Sequence, residues 1–528
     1  MRQQIAFDQL YIRHPNRCFT ILFVMFTPPW QAPDEPAHYQ YIAHIAQERT
    51  LPVLQAGDYD QEYLTSLLSS RFTPKLSIDP LRYENYQPPL YYLSAVPFFW
   101  LGDGHLWPLR LYNVLLGAIT LYLLYRLLQF IFPENSLMSL SAVAFSALLP
   151  MHVAMNAAVN NDGLANLLLA ATLWTLLAWM RRVLTVFNFQ FSIFNFQLFG
   201  LGILLGLGLL TKIYAYSMVP ICVLTIIAVI WWQRRTWRAL FAGIGQTLWV
   251  ITPALLMGIP LWIRNIRLYG GWDFLGLRWH DEVVAGQATT AEWIARYGWV
   301  SYFERGITFT FQSFWGVFGW LTAFMDQRIY VICLIFTGVL FLGCLWATLR
   351  MISGKPDLQI DSFQIAALLL LGIMFLAVTA SYIWYNTKFV QHQGRYFFWG
   401  MASISTVVAI GWREQLYPIQ GAVSGILALV LALSLGTVGY LNDTLDKWAM
   451  LFITVTGLIL LCQPLLLSGT HWHRIERLPR WIQELLQWWL IRNTLAGLRT
   501  ITWAIPFILL FLLDLIIPFW YLIPLLHP

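Results

Sequence analysis

Charge is scarce in this chain. Asp, Glu, Lys and Arg make up 11% of its 528 residues and hydrophobic types 58%, whereas a soluble domain carries about 25% charged residues. With a mean hydropathy of +0.60, no water-soluble core can hide so much apolar surface, and the usual length prior of about three soluble domains does not apply. Cysteine is sparse too. Cys18, Cys222, Cys333, Cys344 and Cys462 lie in or beside apolar runs, with no CxxC pair and no His at metal-ligand spacing, so they read as small buried hydrophobes. No Walker A loop, no G-x-G-x-x-G opening a helix, no HExxH and no G-x-S-x-G is present, so nothing points to nucleotide hydrolysis, a dinucleotide cofactor or those hydrolase classes.

What is abundant is apolar and aromatic. The 27 Trp, 24 Tyr and 35 Phe suit a chain whose amphipathic rings anchor at membrane–water boundaries. A span of a ~30 Å hydrocarbon core needs roughly 17 to 25 residues, and apolar runs of about that length fall near 15–29, 107–130, 137–156, 163–181, 198–213, 214–232, 239–262, 329–350, 362–385, 395–411, 419–439, 447–467 and 501–525. The expected fold class is therefore all-α, a polytopic transmembrane protein of about 13 spans. The first run follows Arg13 and Arg17 and ends at Pro28-Pro29 without a small-residue cleavage site, so it reads as a retained span. With the N-terminus inside, Arg126, Arg181-Arg182, Arg234-Arg235-Arg238, Arg350 with Lys355, Arg413 and the arginines of 474–499 all fall on the cytoplasmic side, as the positive-inside rule requires. That accounts for the formal charge of +6 without nucleic acid. Segments 30–106 and 263–328 then become large outer loops, 88–101 an interfacial helix, and 469–497 a cytoplasmic interfacial amphipathic helix. The expected division is a membrane module over 1–467 and, over 468–528, the interfacial helix with a last span. A near-repeat at 187–197 carries no evident function.

Ionisable residues beside hydrocarbon are functional candidates by default. Foremost is Pro33-Asp34-Glu35-Pro36-Ala37-His38, adjacent carboxylates on a stiff segment just past the first span. A carboxylate in a partly dry pocket can act as general base; the alternative is a helix N-cap with an acidic first turn. Tyr86-Gln87-Pro88-Pro89 opens a helix. Arg110 begins the second span, and the polar run Asn156 to Asp162 lies between the third and fourth, suiting either a helix cap or contacts to a sugar through Asn160 and Asp162. Lys212 stands alone in apolar surroundings. Arg264 and Arg267 end one span and Gln391-His392-Gln393-Gly394-Arg395-Tyr396 opens another. Each cation could be a headgroup anchor. Yet Arg110, Lys212, Arg264, Arg267 and Arg395 all fall on the same expected face as Asp34 and Glu35, where guanidinium and ammonium groups suit a phosphate.

These residues resemble the GT-C class of membrane glycosyltransferases, which includes protein O-mannosyltransferases and the aminoarabinose transferases of lipid A. The similar features are the Asp34-Glu35 pair, Gln87-Pro88-Pro89-Leu90 before an Arg-led span, and Gly206 to Lys212. The chain is most similar to a family of bacterial multi-pass proteins in this class that share Pro-Asp-Glu-Pro-x-His, Ser-Phe-Trp-Gly-x-Phe-Gly-Trp and Gln-Gly-Arg-Tyr motifs, here Pro33–His38, Ser313–Trp320 and Gln393–Tyr396. The likeness covers about residues 15–411. It implies a multi-pass protein of the bacterial inner membrane and cell envelope, with a site on the extracytoplasmic face. There a polyprenyl-phosphate-linked sugar and membrane lipids would be the partners, together with an acceptor (glycan, lipid or protein) that the sequence does not name. Asp34 or Glu35 would be the base of an inverting transfer. Arg110, Lys212, Arg264, Arg267 and Arg395 would hold the donor phosphate, and His38, Gln87, Asn160, Asp162, Trp315 and Gln393 the substrates. Some relatives bind a divalent metal (Mg, Mn or Zn), for which Asp34, Glu35 and His38 are the candidate ligands, although no spacing requires one. The competing reading, a transporter or flippase of lipid-linked sugars, predicts inverted repeats and midplane charges, and the sequence has neither. A catalytically silent protein of the same fold is the third reading.

Overall fold

The computed structural model describes residues 16–185, 195–354, 360–466 and 479–527. Arg13, Lys355, Arg474, Arg477, most of the 187–197 near-repeat and residues 469–478 of the expected amphipathic helix lie outside the described residues, as do the side chains of Arg17 and Cys18. Helix α1 (Asn16–Phe26) leads through a short crossover to α2 (Glu35–Glu48), α3 (Gln61–Ser69) and α4 (Leu90–Leu101). Then come α5 (Leu106–Ile131), α6 (Ser136–Ala147), α7 (Pro150–Asn156), α8 (Asp162–Thr185), α9 (Phe196–Leu209), α10 (Met218–Arg234), α11 (Trp237–Tyr269), α12 (Leu277–Val283) and α13 (Thr290–Gly316). After an antiparallel hairpin of β1 (Val317–Phe318) and β2 (Ala323–Phe324), the chain continues as α14 (Gln327–Ile352), α15 (Ser362–Asn386), α16 (Met401–Gln415), α17 (Pro418–Leu441) and α18 (Lys447–Leu461). It ends with α19 (Gln463–Leu466), α20 (Arg480–Gln487), α21 (Trp489–Ile517) and α22 (Ile523–Leu526).

This is the all-α polytopic architecture expected, because away from water only helices satisfy every backbone group within one segment. Several helix starts are closed by polar side chains. Thr289 with Glu292 and Asp361 with Gln364 form reciprocal caps, and Asn135, Thr236 and Asp446 each accept from a first-turn amide.

Among the described residues eight helices are long and apolar enough to cross a membrane, nine if the bent pair α6–α7 counts as one span. The count of about 13 is not reached by length, for local reasons. The run 137–156 bends by 66° at Leu148-Leu149-Pro150, where the proline cannot continue the helix. The run 395–411 opens as a 3-10 turn over Gly394–Gly400, leaving 15 residues for α16. Helices α9 and α18 have 14 and 15 residues, and α1 has 11. Other runs are longer than expected. The 239–262 run lies inside the 33-residue α11. The last span begins at Trp489, so the amphipathic stretch expected to reach 497 is divided at Trp488.

Close helix approach relies on glycine, as in many membrane bundles. The α9–α11 contact places Gly202 against the backbone of Val250, and α14 crosses α16 with Gly343 against the carbonyl of Gly411. One core joins α5, α6, α8 to α11 and α15, and a second joins α1, α6, α7, the hairpin, α14, α16 and α21. The expected outer loop 30–106 is itself folded. Tyr41, Ile42, Tyr91 and Tyr92 are buried where α2 and α4 meet α5, and a satellite core under α3 adds Leu67, Phe72, Leu81 and Tyr83.

Candidate functional site

The crossover between α1 and α2 is built from tight turns. Trp30 and Asp34 both adopt left-handed backbone, φ 68° and 67°, conformations that non-glycine residues hold only when their surroundings impose them. That geometry separates the two adjacent carboxylates completely.

Glu35 is fully buried and accepts from Arg110 Nε and Nη2 (2.9 and 2.7 Å), the Trp30 amide (3.2 Å) and the Val159 amide (3.1 Å). Arg110 directs its remaining donors to the carbonyls of Val24 (3.1 Å), Thr27 (2.7 Å) and Pro28 (3.2 Å). A guanidinium has five N–H groups, and all are matched. Glu35 and Arg110 therefore form a saturated clamp tying α5 to the crossover. In this clamp every N–H of Arg110 and both oxygens of Glu35 are already engaged.

Asp34 is different. Its side chain keeps 28% of its exposure, and although the residue stands at the N-cap position of α2 with Glu35 in the first turn, its carboxylate makes no capping hydrogen bond. Its carboxylate accepts instead from Tyr83 Oη (3.0 Å) and Arg395 Nη2 (2.8 Å). Burial pushes this carboxyl up, but the charges of Arg395 and His38 and the bonds from Arg395 and Tyr83 outweigh it, leaving Asp34 below its ordinary value. Burial, with the charges of Asp34 and Glu84, raises the Tyr83 phenol well above its own, so it stays a donor.

Arg395 is held by two motifs that the fold locks together. Its Nε donates to Gln393 Oε1 (2.7 Å). The Gly394 amide donates to Ser313 Oγ (2.8 Å), and a side chain at Gly394 would collide with the Phe314 backbone. Further along the same motif, Trp320 Nε1 donates to the Trp30 carbonyl (2.9 Å). The Ser313–Trp320 and Gln393–Tyr396 motifs are thus one joint that seats Arg395 against Asp34. Trp315 itself is buried among Phe145, Phe311, Phe314 and Phe336.

The second cation, Lys212, donates to Asn161 Oδ1 and pairs with Asp162, both at 2.7 Å. Asn161 donates to Gln87 Oε1 (3.3 Å), and Gln87 Nε2 to Tyr86 Oη (3.0 Å). His38 Nδ1 meets Tyr92 Oη at 2.9 Å, and burial lowers the imidazole below its ordinary value. The charges of Asp34, Glu84, Asp162 and Lys212 all act on His38, and those of Asp34 and Asp162 on Arg395, so these groups share one neighbourhood. Asn160 belongs to the turn before α8: its Nδ2 donates to the Met155 carbonyl (2.8 Å) and its Oδ1 receives the Asp162 amide (3.0 Å). Arg264 and Arg267 do not join. Arg264 donates to the carbonyl of Pro52 (2.6 Å), and Arg267 is exposed with no hydrogen bond or ion pair among the described residues. Among those residues no three His, Cys, Asp or Glu side chains group as a metal site. Asn161 lies inside the polar run 156–162 that the sequence marked, whereas sequence reasoning missed Tyr83 and Glu84, whose Oε2 is buried without a partner among the described residues.

Beside this cluster opens a cavity of about 1160 Å³ walled by α13 to α16, with Trp299, Phe303, Phe314, Phe341 and Phe397 among its lining. Its polar end includes His392 and Asn386, so the next residue, Gln393, connects the cavity to Arg395 and Asp34.

Several known proteins share features with this chain. The sequence profile of the family described as dolichyl-phosphate-mannose-protein mannosyltransferase matches residues 86–263, a third of the chain that contains Gln87, Arg110, Asn160, Asp162 and Lys212 but not Asp34 or Arg395. No curated protein sequence matches. The chain is similar to the crystal structure of ArnT from Cupriavidus metallidurans bound to undecaprenyl phosphate, with 13% identity, TM-score 0.44, and 94% of this chain and 75% of that one covered. The apo form of ArnT gives 14% identity and TM-score 0.45, over 94% and 74%. The oligosaccharyltransferase of Archaeoglobus fulgidus in its apo form gives 11% and 0.42, covering 86% of this chain and 54% of that one.

Proposed function

We propose that this chain is a membrane glycosyltransferase that moves a sugar from a polyprenyl-phosphate donor to an acceptor hydroxyl on the extracytoplasmic face, with inversion. The observation that carries the reading is the position of Asp34. It is the partly open carboxylate of the motif pair, left-handed in backbone, and linked through Arg395 and Gln393 to the lip of a large apolar cavity. The lipid chain lies in that cavity and the sugar reaches into the cluster of Asp34, His38, Gln87, Asp162 and Lys212. Asp34 takes the proton of the acceptor hydroxyl as its oxygen attacks the anomeric carbon. The bond from that carbon to the phosphate oxygen breaks, and its electron pair leaves with polyprenyl phosphate. Arg395 bridges base and leaving group, so its charge acts where negative charge develops, and Lys212 supports the same face through Asp162. Glu35 and Arg110 hold the crossover that gives Asp34 its orientation.

The test is transfer by the purified chain in lipid nanodiscs from a polyprenyl-phosphate sugar. Asp34→Asn is expected to lose turnover while remaining folded at the assay temperature. Unchanged turnover in that variant removes the base.

A further inference from the structure

Arg110 fastens the α1–α2 crossover to α5 through Glu35. A second hold on the crossover comes from the far end of the chain. At Pro518 α21 gives way to one wide π turn over Pro518–Leu522, closed by the Ile523 amide on the Pro518 carbonyl. Beyond it Leu522 and Leu526 are buried in the core that includes Phe23, Val24 and Phe318. The Phe519 ring lies 5.0 Å from that of Phe26 at the end of α1, and Tyr521 Oη accepts from the Asp326 amide (3.1 Å). Leu526 rests on the hairpin turn at Gly319, where φ is 63° and a Cβ would come within 2.6 Å of Leu526 Cδ2.

The last carbonyls of a helix have no partner within it. Here two side chains from distant turns take them. Gln31, buried in the crossover, donates from Nε2 to the Leu526 carbonyl (3.1 Å), and Arg71 Nη1 donates to that of His527 (2.5 Å). The hairpin turn under Leu526 carries Trp320, which donates to the Trp30 carbonyl. Trp30 and Gln31 are thus anchored by groups 290 and 495 positions along the chain. Asp34 lies between these anchors and the Glu35 clamp, in a left-handed conformation that persists only where its surroundings impose it. Packing alone would call for no amide here, since Phe519, Leu522 and Leu526 already supply apolar contact. A buried amide donating to a main-chain carbonyl fixes direction as well as distance.

We propose that Pro518–His527 is a strap that sets the orientation of Asp34 for proton transfer, with Gln31 the positioning residue through which it acts. This rests on the reading of Asp34 as the base, and it gives a part in the reaction to a segment that no motif marks.

The test uses the full chain in nanodiscs, with hydrogen exchange over residues 30–38 and the turnover assay from a polyprenyl-phosphate sugar. Gln31→Leu keeps the bulk and removes the donor. It is expected to speed exchange over 30–38 by about three- to tenfold, the scale of one hydrogen bond, and to lower kcat by a similar factor. The donor KM and exchange in α5 are expected to stay at wild-type values. Gln31→Asn is expected to restore part of the loss, and Arg71→Ala, at an exposed position, to act in the same direction but less. If Asp34→Asn is inactive while Gln31→Leu and Arg71→Ala match the wild type in exchange and kcat, the strap is overturned and the base reading stands. Loosening spread equally over α1, α5 and α21, or a raised donor KM at unchanged kcat, also overturns the strap, because Gln31 then only supports the fold. Full turnover in Asp34→Asn overturns the base, and the strap with it.

Discussion

Two buried arginine–glutamate pairs sit at opposite ends of the helical body, which α14 spans with 26 residues, about 39 Å. At one end Arg350 Nη1 meets Glu414 Oε2 at 2.9 Å, with the Tyr417 ring 4.5 Å from the guanidinium, fastening α14 to α16. At the other, Arg110 meets Glu35 at 2.7 Å and fastens α5 to the α1–α2 crossover. The chemistry of the two pairs is the same, but their neighbours differ. Beside Glu414 are Arg413 and Gln415; beside Glu35 is Asp34, left-handed, partly open and tied to Arg395. A buried ion pair therefore says nothing by itself about function. It becomes part of a site when its rigidity is handed to an adjacent group that still has a free face.

The largest break in this comparison comes from Asp34→Asn, expected to lower turnover by about 10² to 10⁴, far beyond what the modest fall in melting temperature from the lost Arg395 pair would cause. Equal loss from Glu414→Gln would erase the contrast between the ends. Next, Glu35→Gln or Arg110→Met leaves a buried charge unpaired, an expected cost of about 3 to 5 kcal/mol, read as a fall in melting temperature with lost activity following from misfolding. A smaller effect concerns pH. Because Asp34 lies below its ordinary carboxylate value, its proton-accepting form persists as pH falls, and the acid limb of kcat/KM is expected below the ordinary carboxylate range. Arg395→Gln removes the main charge holding it there, so the limb moves to higher pH. The stability Asp34 contributes has the same sign: present above the unfolded value and lost as pH drops through the folded one. His38, held below its ordinary value, gives no limb between pH 6.5 and 8. Smallest is the paired replacement Arg350→Met with Glu414→Leu. Trading a buried ion pair for apolar side chains is often neutral, so turnover is expected to stay at the wild-type level.

Hydrophobic runs made the all-α membrane body legible in the sequence, because their length is a direct demand of the bilayer. Their breaks were less legible. Leu148-Leu149-Pro150 reads as uninterrupted apolar chain, yet the bend there decides whether α6 and α7 count as one span. Asp34 and Arg395 were visible because both stand in short motifs at run ends. Which of two adjacent carboxylates was free was not visible, since it depends on one backbone dihedral and on Arg110, far along the chain. Tyr83 carried no signal at all: it lies among other polar and aromatic residues and gains its meaning only from Asp34, which it meets across the fold. Arg264 shows the converse, matching the expected charge pattern while donating to the Pro52 carbonyl.

The left-handed backbone at Asp34 narrows the set of side chains that can stand there. Asp and Asn enter that region readily, while β-branched or bulky residues do so only under strain. The amide analogue therefore keeps both the shape and the dihedral preference of the natural residue, whereas Ala or Glu would disturb the crossover along with the chemistry. At this position the near-isosteric exchange keeps the backbone conformation, so its cost is confined to the lost charge, as proton acceptor and as partner of Arg395.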